Sequence, residues 1–181
     1  MAEALLATLL VALLSMGVAA AMSFAGRQYR ASMLASESKL LASTLTNVVR
    51  GELSNTPRIR LADAAGTVDS FYSRGYAHEE TEMSRFYAVR VDENLNVTPA
   101  GDEAFGQLLL GSLDGEGRLV GNLLLSGAAY GTWPLQARVC VRYDAAGQVF
   151  HVTLSVRDPD GNVYPNEFDV LPLNDVIVEG P

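Results

Sequence analysis

Cysteine is almost absent from this 181-residue chain, which carries only Cys140. One cysteine excludes a disulfide framework and a four-cysteine zinc module. Basic residues are also scarce, 13 against 21 acidic ones, for a net charge of −8. That balance argues against nucleic acid as a partner, because such binding rests on Lys and Arg neutralising phosphates. Histidine occurs twice, as His78 and His151, and His78 has no second histidine four residues on, as a zinc-protease helix requires. There is no Gly-x-Ser-x-Gly nucleophile motif and no phosphate-cradling glycine loop at a strand–helix junction. Neither an enzyme nor a bound cofactor is expected from this inventory. Internal repeats and low-complexity tracts are missing as well. With 49% apolar residues the chain is nevertheless far too hydrophobic to be disordered.

Most of that hydrophobicity lies at the start. Between Glu3 and Arg27 no residue is charged, and the core from Ala4 to Phe24 is rich in Leu and Ala and free of Pro. A helix rises ~1.5 Å per residue, so about 20 such residues cross a hydrocarbon layer ~30 Å thick. A membrane span over residues 4–24 follows. A cleaved secretory signal is the rival, since Ala19-Ala20-Ala21 fits a small-residue cleavage pattern. It lacks a basic n-region, and the run exceeds the usual ~7–15 residues of a signal core.

Helical spacing continues past the apolar run. Met33/Leu34, Leu40/Leu41, Leu45, Val48/Val49 and Leu53 recur at gaps of three, four and seven, one face of an amphipathic stalk over residues 27–53. A helix from about residue 3 to 54 would be ~78 Å long. The remaining 127 residues fold into a globule only ~30–35 Å across. Part of such a helix is therefore expected to project. Ser54-Asn55-Thr56-Pro57 closes the segment, and the charge changes there too: net +1 over residues 1–54 and −9 over 55–181. The expected division is an N-terminal helix, 1–54, and a β-rich head, 55–181.

In the head the period changes to two. Gln136–Tyr143, Gln148–Arg157 and Val163–Leu171 alternate and are joined by Asp144-Ala-Ala-Gly147 and Asp158-Pro-Asp-Gly-Asn162, an antiparallel meander over about 135–171. Pro165 suits an edge for its last strand. Shorter candidates are Arg58–Leu61, Val68–Ser73, Phe86–Val91, Leu95–Thr98, Gln107–Gly111 and Arg118–Leu125; the runs Leu108–Leu110 and Leu123–Leu125 fit buried strands or helix turns equally. The fold class is α+β, with the stripe of residues 33–53 laid across the sheet.

Few side chains suggest chemistry. Asp158, Asp160 and Asn162 copy positions 1, 3 and 5 of a calcium loop, a weak metal candidate, but position 6 is Val163 where Gly is needed and position 12 is Asp169 rather than Glu. A plain hairpin turn uses the same residues for its own backbone. Asp114-Gly-Glu-Gly117 is read the same way. His78 falls in a solvated polar run, His151 on the polar side of a strand, and Cys140 mid-strand as a structural thiol. Tyr130, Trp133 and Tyr143, near the Gly-rich stretch 127–131, are the candidate contacts of a binding surface, although core packing suits Tyr143.

The layout Ala2-Glu3-Ala4-Leu5-Leu6-Ala7-Thr8-Leu9-Leu10-Val11-Ala12-Leu13-Leu14, with the stalk Ser32–Leu53 and the closing Leu171-Pro-Leu-Asn174, resembles the type IV pilin and pseudopilin superfamily, specifically pilin-like proteins of Gram-positive bacteria. In that family a Glu at mature position five precedes an apolar helix, and Glu3 matches it; a mature chain beginning two residues before Met1 is implied. The resemblance implies a long helix packed at its C-terminal half on an antiparallel sheet. It implies a structural subunit that assembles through its N-terminal helix with like subunits into a type IV pilus or secretion pseudopilus, served by a prepilin peptidase and assembly machinery. Glu3 would then set register by pairing with a neighbour's terminal amine. Arg27 and Arg30 after the run place the head in the cytoplasm by the positive-inside rule. The resemblance places it outside, and an extracellular head on a single-pass cell-membrane protein is the expectation. A membrane-anchored extracellular binding module that does not polymerise is the alternative.

Overall fold

One helix, α1, runs without interruption from Ala2 to Ser54, 53 residues. In the computed structural model, residues 1–74, 83–92, 96–101, 104–131 and 133–180 are described. They fall into two units, Met1–Ser36 and Glu37–Pro181.

The first unit is helix alone. Its leucines at 5, 6, 9, 10, 13 and 14 are all more than half exposed. Two hydroxyls inside the apolar run are satisfied by the helix itself: Thr8 Oγ1 donates to Leu5 O at 2.9 Å and Ser15 Oγ to Val11 O at 2.8 Å. A hydroxyl closed onto its own backbone leaves no polar group needing water. The segment is long and apolar enough to cross a membrane.

The second unit begins inside the helix. Leu41, Ala42 and Leu45 join Tyr130, Leu135, Ala137, Leu154 and Val156 in one core cluster. Val49 and Leu53 join Ile59, Phe71, Val141, Tyr143, Phe150 and Val152 in another. The stripe thus resolves in favour of one residue of each expected pair: Leu41 and Val49 are buried, and Leu40 is 69% exposed. Thr46, also buried, donates to Ala42 O at 2.7 Å and accepts from Asn166 Nδ2 at 2.8 Å. The helix ends with its last carbonyls occupied. Asn55 Nδ2 donates to Gly51 O, Thr56 Oγ1 to Glu52 O, Thr56 N–H to Leu53 O and Leu173 N–H to Ser54 O. These bonds supply the acceptors' missing partners at a helix C-terminus, and Pro57 prevents continuation.

Among the described residues, ten strands make three sheets. β1 (Arg58–Leu61) lies between β2 (Val68–Phe71), antiparallel to it, and β10 (Ile177–Glu179), parallel to it. β3 (Arg85–Val91), β4 (Val97–Pro99), β5 (Gln107–Leu113) and β6 (Leu119–Leu123) form an antiparallel sheet in the order β4-β3-β5-β6. β7 (Gln136–Asp144), β8 (Val149–Arg157) and β9 (Val163–Val170) form the antiparallel meander, with Pro165 on its edge strand β9. Leu108-Leu109-Leu110 is a strand, β5, and all three are buried. An α+β chain with a long N-terminal apolar helix and antiparallel sheets is the result.

Candidate functional site

The most distinctive chemical feature is the exposed apolar helix with one acid at its start. Glu3 sits in the first turn of α1. A carboxylate there complements the unpaired N–H groups and positive end of the helix dipole. No further charge follows until Arg27, and the run then meets Tyr29, 69% exposed, between Arg27 and Arg30. An aromatic ring between two basic side chains at the end of an apolar run suits a lipid–water boundary, where rings and long cationic stems settle. Its signal, an aromatic flanked by arginines just past residue 24, is legible in the sequence.

The calcium-like segment is a closed turn. Asp158 Oδ1 accepts from Asn162 N–H at 2.8 Å, and Oδ2 accepts from Asn162 Nδ2 at 2.8 Å and the Tyr164 hydroxyl at 3.1 Å. Burial pushes the Asp158 carboxyl up, but hydrogen bonds from Asn162, Tyr164 and the Asp160 backbone outweigh it and hold it below its usual range. Asp158 and Asn162 therefore face each other as donor and acceptor, whereas two metal ligands would both turn oxygens inward. Gly161, at φ +89°, supplies the left-handed residue of the turn. Asp114 plays the same part between β5 and β6, accepting from the N–H groups of Glu116 and Arg118. Among the described residues, no three His, Cys, Asp or Glu side chains are grouped to hold a metal ion.

The remaining candidates disperse. His78 lies outside the described residues. His151 pairs with Asp169 across β8 and β9, Nδ1 to Oδ1 at 2.7 Å, both exposed. Cys140 is exposed on β7. Of the three aromatic contacts expected, Tyr130 and Tyr143 are in the core, 3% and 5% exposed, and only Trp133 is partly exposed. Tyr143 stacks on Phe150 with centroids 4.8 Å apart. The expected recognition surface of Tyr130, Trp133 and Tyr143 is corrected accordingly: alternation along β7 sends Tyr143 inward, and the short 3₁₀ turn Gly127–Tyr130 buries Tyr130.

Tyr130 has a structural duty. Its hydroxyl oxygen accepts the Leu108 N–H at 2.6 Å. Burial pushes the phenol up to about 12, partly offset by that bond. In the unfolded chain a tyrosine ionises near ~10. The stabilisation is therefore complete below pH ~10 and declines as pH rises toward about 12, by roughly 2–3 kcal/mol in all. Melting curves between pH 8 and 12.5 are expected to fall more steeply for the wild type than for Tyr130→Phe, which has no phenol to ionise. Parallel curves would remove Tyr130 as the alkaline trigger. At neutral pH the Phe variant is expected to be ~1–3 kcal/mol less stable, because the Leu108 N–H loses its acceptor.

Compared with known proteins, the chain matches no family model, no curated protein and no solved structure.

Proposed function

We propose that the protein is a non-enzymatic, membrane-anchored structural subunit of the type IV pilin-like kind: a single span over residues 4–24, an extracellular β-rich head, and assembly through the N-terminal helix with like subunits. One observation carries the reading: an unbroken 53-residue helix whose first half is exposed and apolar, with Glu3 in its first turn. Lipid, or a bundle of equivalent helices, covers such a surface without unsatisfied polar groups. The second half of α1 is built into the head's core, with Leu41, Leu45, Val49 and Leu53 in its clusters. A prepilin peptidase and an assembly machinery are the partners this reading entails.

Glu3 is the assembly residue. An acid at the edge of a bilayer is tolerated at the helix N-terminus, and drawn deeper it needs a cation. A neighbour's terminal amine supplies one, which fixes the axial register between subunits. Glu3→Ala is therefore expected to leave the protein in the membrane fraction and to reduce crosslinked oligomers about tenfold, the loss of ~1.4 kcal/mol per contact. Oligomers undiminished by the substitution would remove the register role. Monomers alone from the wild type, in native membranes, would favour the non-polymerising binding module.

A further inference from the structure

The tetrapeptide Asp-Ala-Ala-Gly occurs at residues 63–66 and again at 144–147. The first copy lies between β1 and β2, and the second leads from β7 into β8. The fold sets the two turns side by side. Tyr143 N–H donates to Gly66 O at 2.8 Å, and Thr67 forms an antiparallel bridge with Arg142. A Cβ on Gly66, at φ +85°, would strike the Tyr143 carbonyl, so this approach requires glycine. Both turns line one cavity of about 490 Å³, a size that holds a small ligand.

Where the turns line it, the cavity has small walls: Ala64, Ala65, Ala145 and Ala146, all exposed. Each aspartate is engaged by its own turn. Asp63 Oδ1 accepts from Thr67 N–H at 3.0 Å, and Asp144 Oδ1 from Ala146 N–H at 2.9 Å. Bonds from Thr67 hold the Asp63 carboxyl below its usual range, with a smaller pull from Arg142. Arg142 lines the same cavity, and among the described residues its guanidinium makes no hydrogen bond or ion pair. Directly across the β7–β8 register stands His151, which also lines the cavity. Its Nδ1 lies 2.7 Å from Asp169 Oδ1. A carboxylate there fixes the proton on Nδ1 and leaves Nε2 of the neutral ring as an acceptor.

We propose that the cleft between the two turns binds the C-terminal carboxylate of a short peptide whose last residues are small. A guanidinium without a partner takes a carboxylate through two parallel N–H bonds. The amide N–H of the peptide's last residue, next to that carboxylate, is a donor for His151 Nε2. The alanine walls admit side chains of methyl size and give larger ones no apolar depth to fill. In a chain of net charge −8 the attraction comes from Arg142 locally and not from the surface as a whole. The site lies wholly in the head, so it operates whether or not α1 assembles with like helices.

The test uses the full chain in detergent micelles, methyl-labelled at alanine, titrated with acetyl-Ala-Ala carrying a free carboxylate. Saturable shifts at the methyls of Ala64, Ala65, Ala145 and Ala146 are expected, with a Kd of about 1 mM for a ligand of this size. Acetyl-Ala-Ala-amide, which lacks the charge, should bind about tenfold more weakly, and acetyl-Phe-Phe with a free carboxylate likewise. Arg142→Gln should weaken binding of the free acid about tenfold. Arg142 is exposed on β7, so this variant should melt like the wild type. Should it fail to fold, the comparison of acid and amide on the wild type decides. Absence of shifts at about 20 mM peptide overturns the proposal. So does equal binding of the amide or of the Phe peptide, or wild-type affinity in a folded Arg142→Gln. Equal shifts with acetate overturn it as well, since they would mark a site for any small anion.

Discussion

Lysine at both Leu10 and Leu14 is expected to strip the protein from membranes. The two side chains are 58% and 71% exposed and four residues apart, hence on one face near the middle of the uncharged run. At the centre of a spanning helix a lysine costs ~2.5–3.5 kcal/mol, where a leucine contributes ~0.3–0.6 kcal/mol favourably. The pair therefore shifts insertion by roughly 6–8 kcal/mol, several powers of ten in partition. Snorkelling relieves a lysine near an interface, but residues 10 and 14 are too deep in the run for both to escape. Carbonate-washed membranes should retain the wild type and the matched Leu10→Ile/Leu14→Ile protein, and release Leu10→Lys/Leu14→Lys. Neither leucine belongs to a core cluster of the head, so thermal melting of the head should be the same in all three. Retention of the lysine variant at wild-type level would remove the span from residues 4–24.

That prediction depends on a feature visible in the sequence at once, because an uncharged 23-residue run needs no tertiary context to be recognised. The strands of the meander were legible for a similar reason. Each has one face on the core and one toward solvent, so alternation survives in the residues, as in the inward Val141 and Tyr143 against the outward Cys140 and Arg142. β5 was ambiguous because Leu108, Leu109 and Leu110 are all buried, lying between β3 and β6 and covered on both faces. β10 carries no such signal. Its three residues, Ile177–Glu179, are too short to show a period, and their place beside β1 is set from outside the segment, by Leu173 N–H on Ser54 O and Ile177 N–H on Pro57 O.

The helix stripe is where sequence and packing can be separated by a single pair of variants. Leu45→Ala is expected to destabilise the head by ~2–5 kcal/mol, and Leu40→Ala by no more than ~0.5 kcal/mol. Both remove the same atoms from the same helix, and alanine is the better helix former at both sites. They differ in surroundings. Leu45 is 0% exposed, in the cluster with Tyr130, Leu135, Leu154 and Val156, whereas Leu40 is 69% exposed. Cavity formation therefore applies at one site and not at the other. For a unit of this size the Leu45 variant should melt about 5–15 °C lower. Similar melting temperatures for the two variants would mean that residues 37–54 are an appendage to a self-sufficient sheet. A wide split makes the second half of α1 part of the head's core, joined to β7 and β8 through Leu41, Leu45 and Val49.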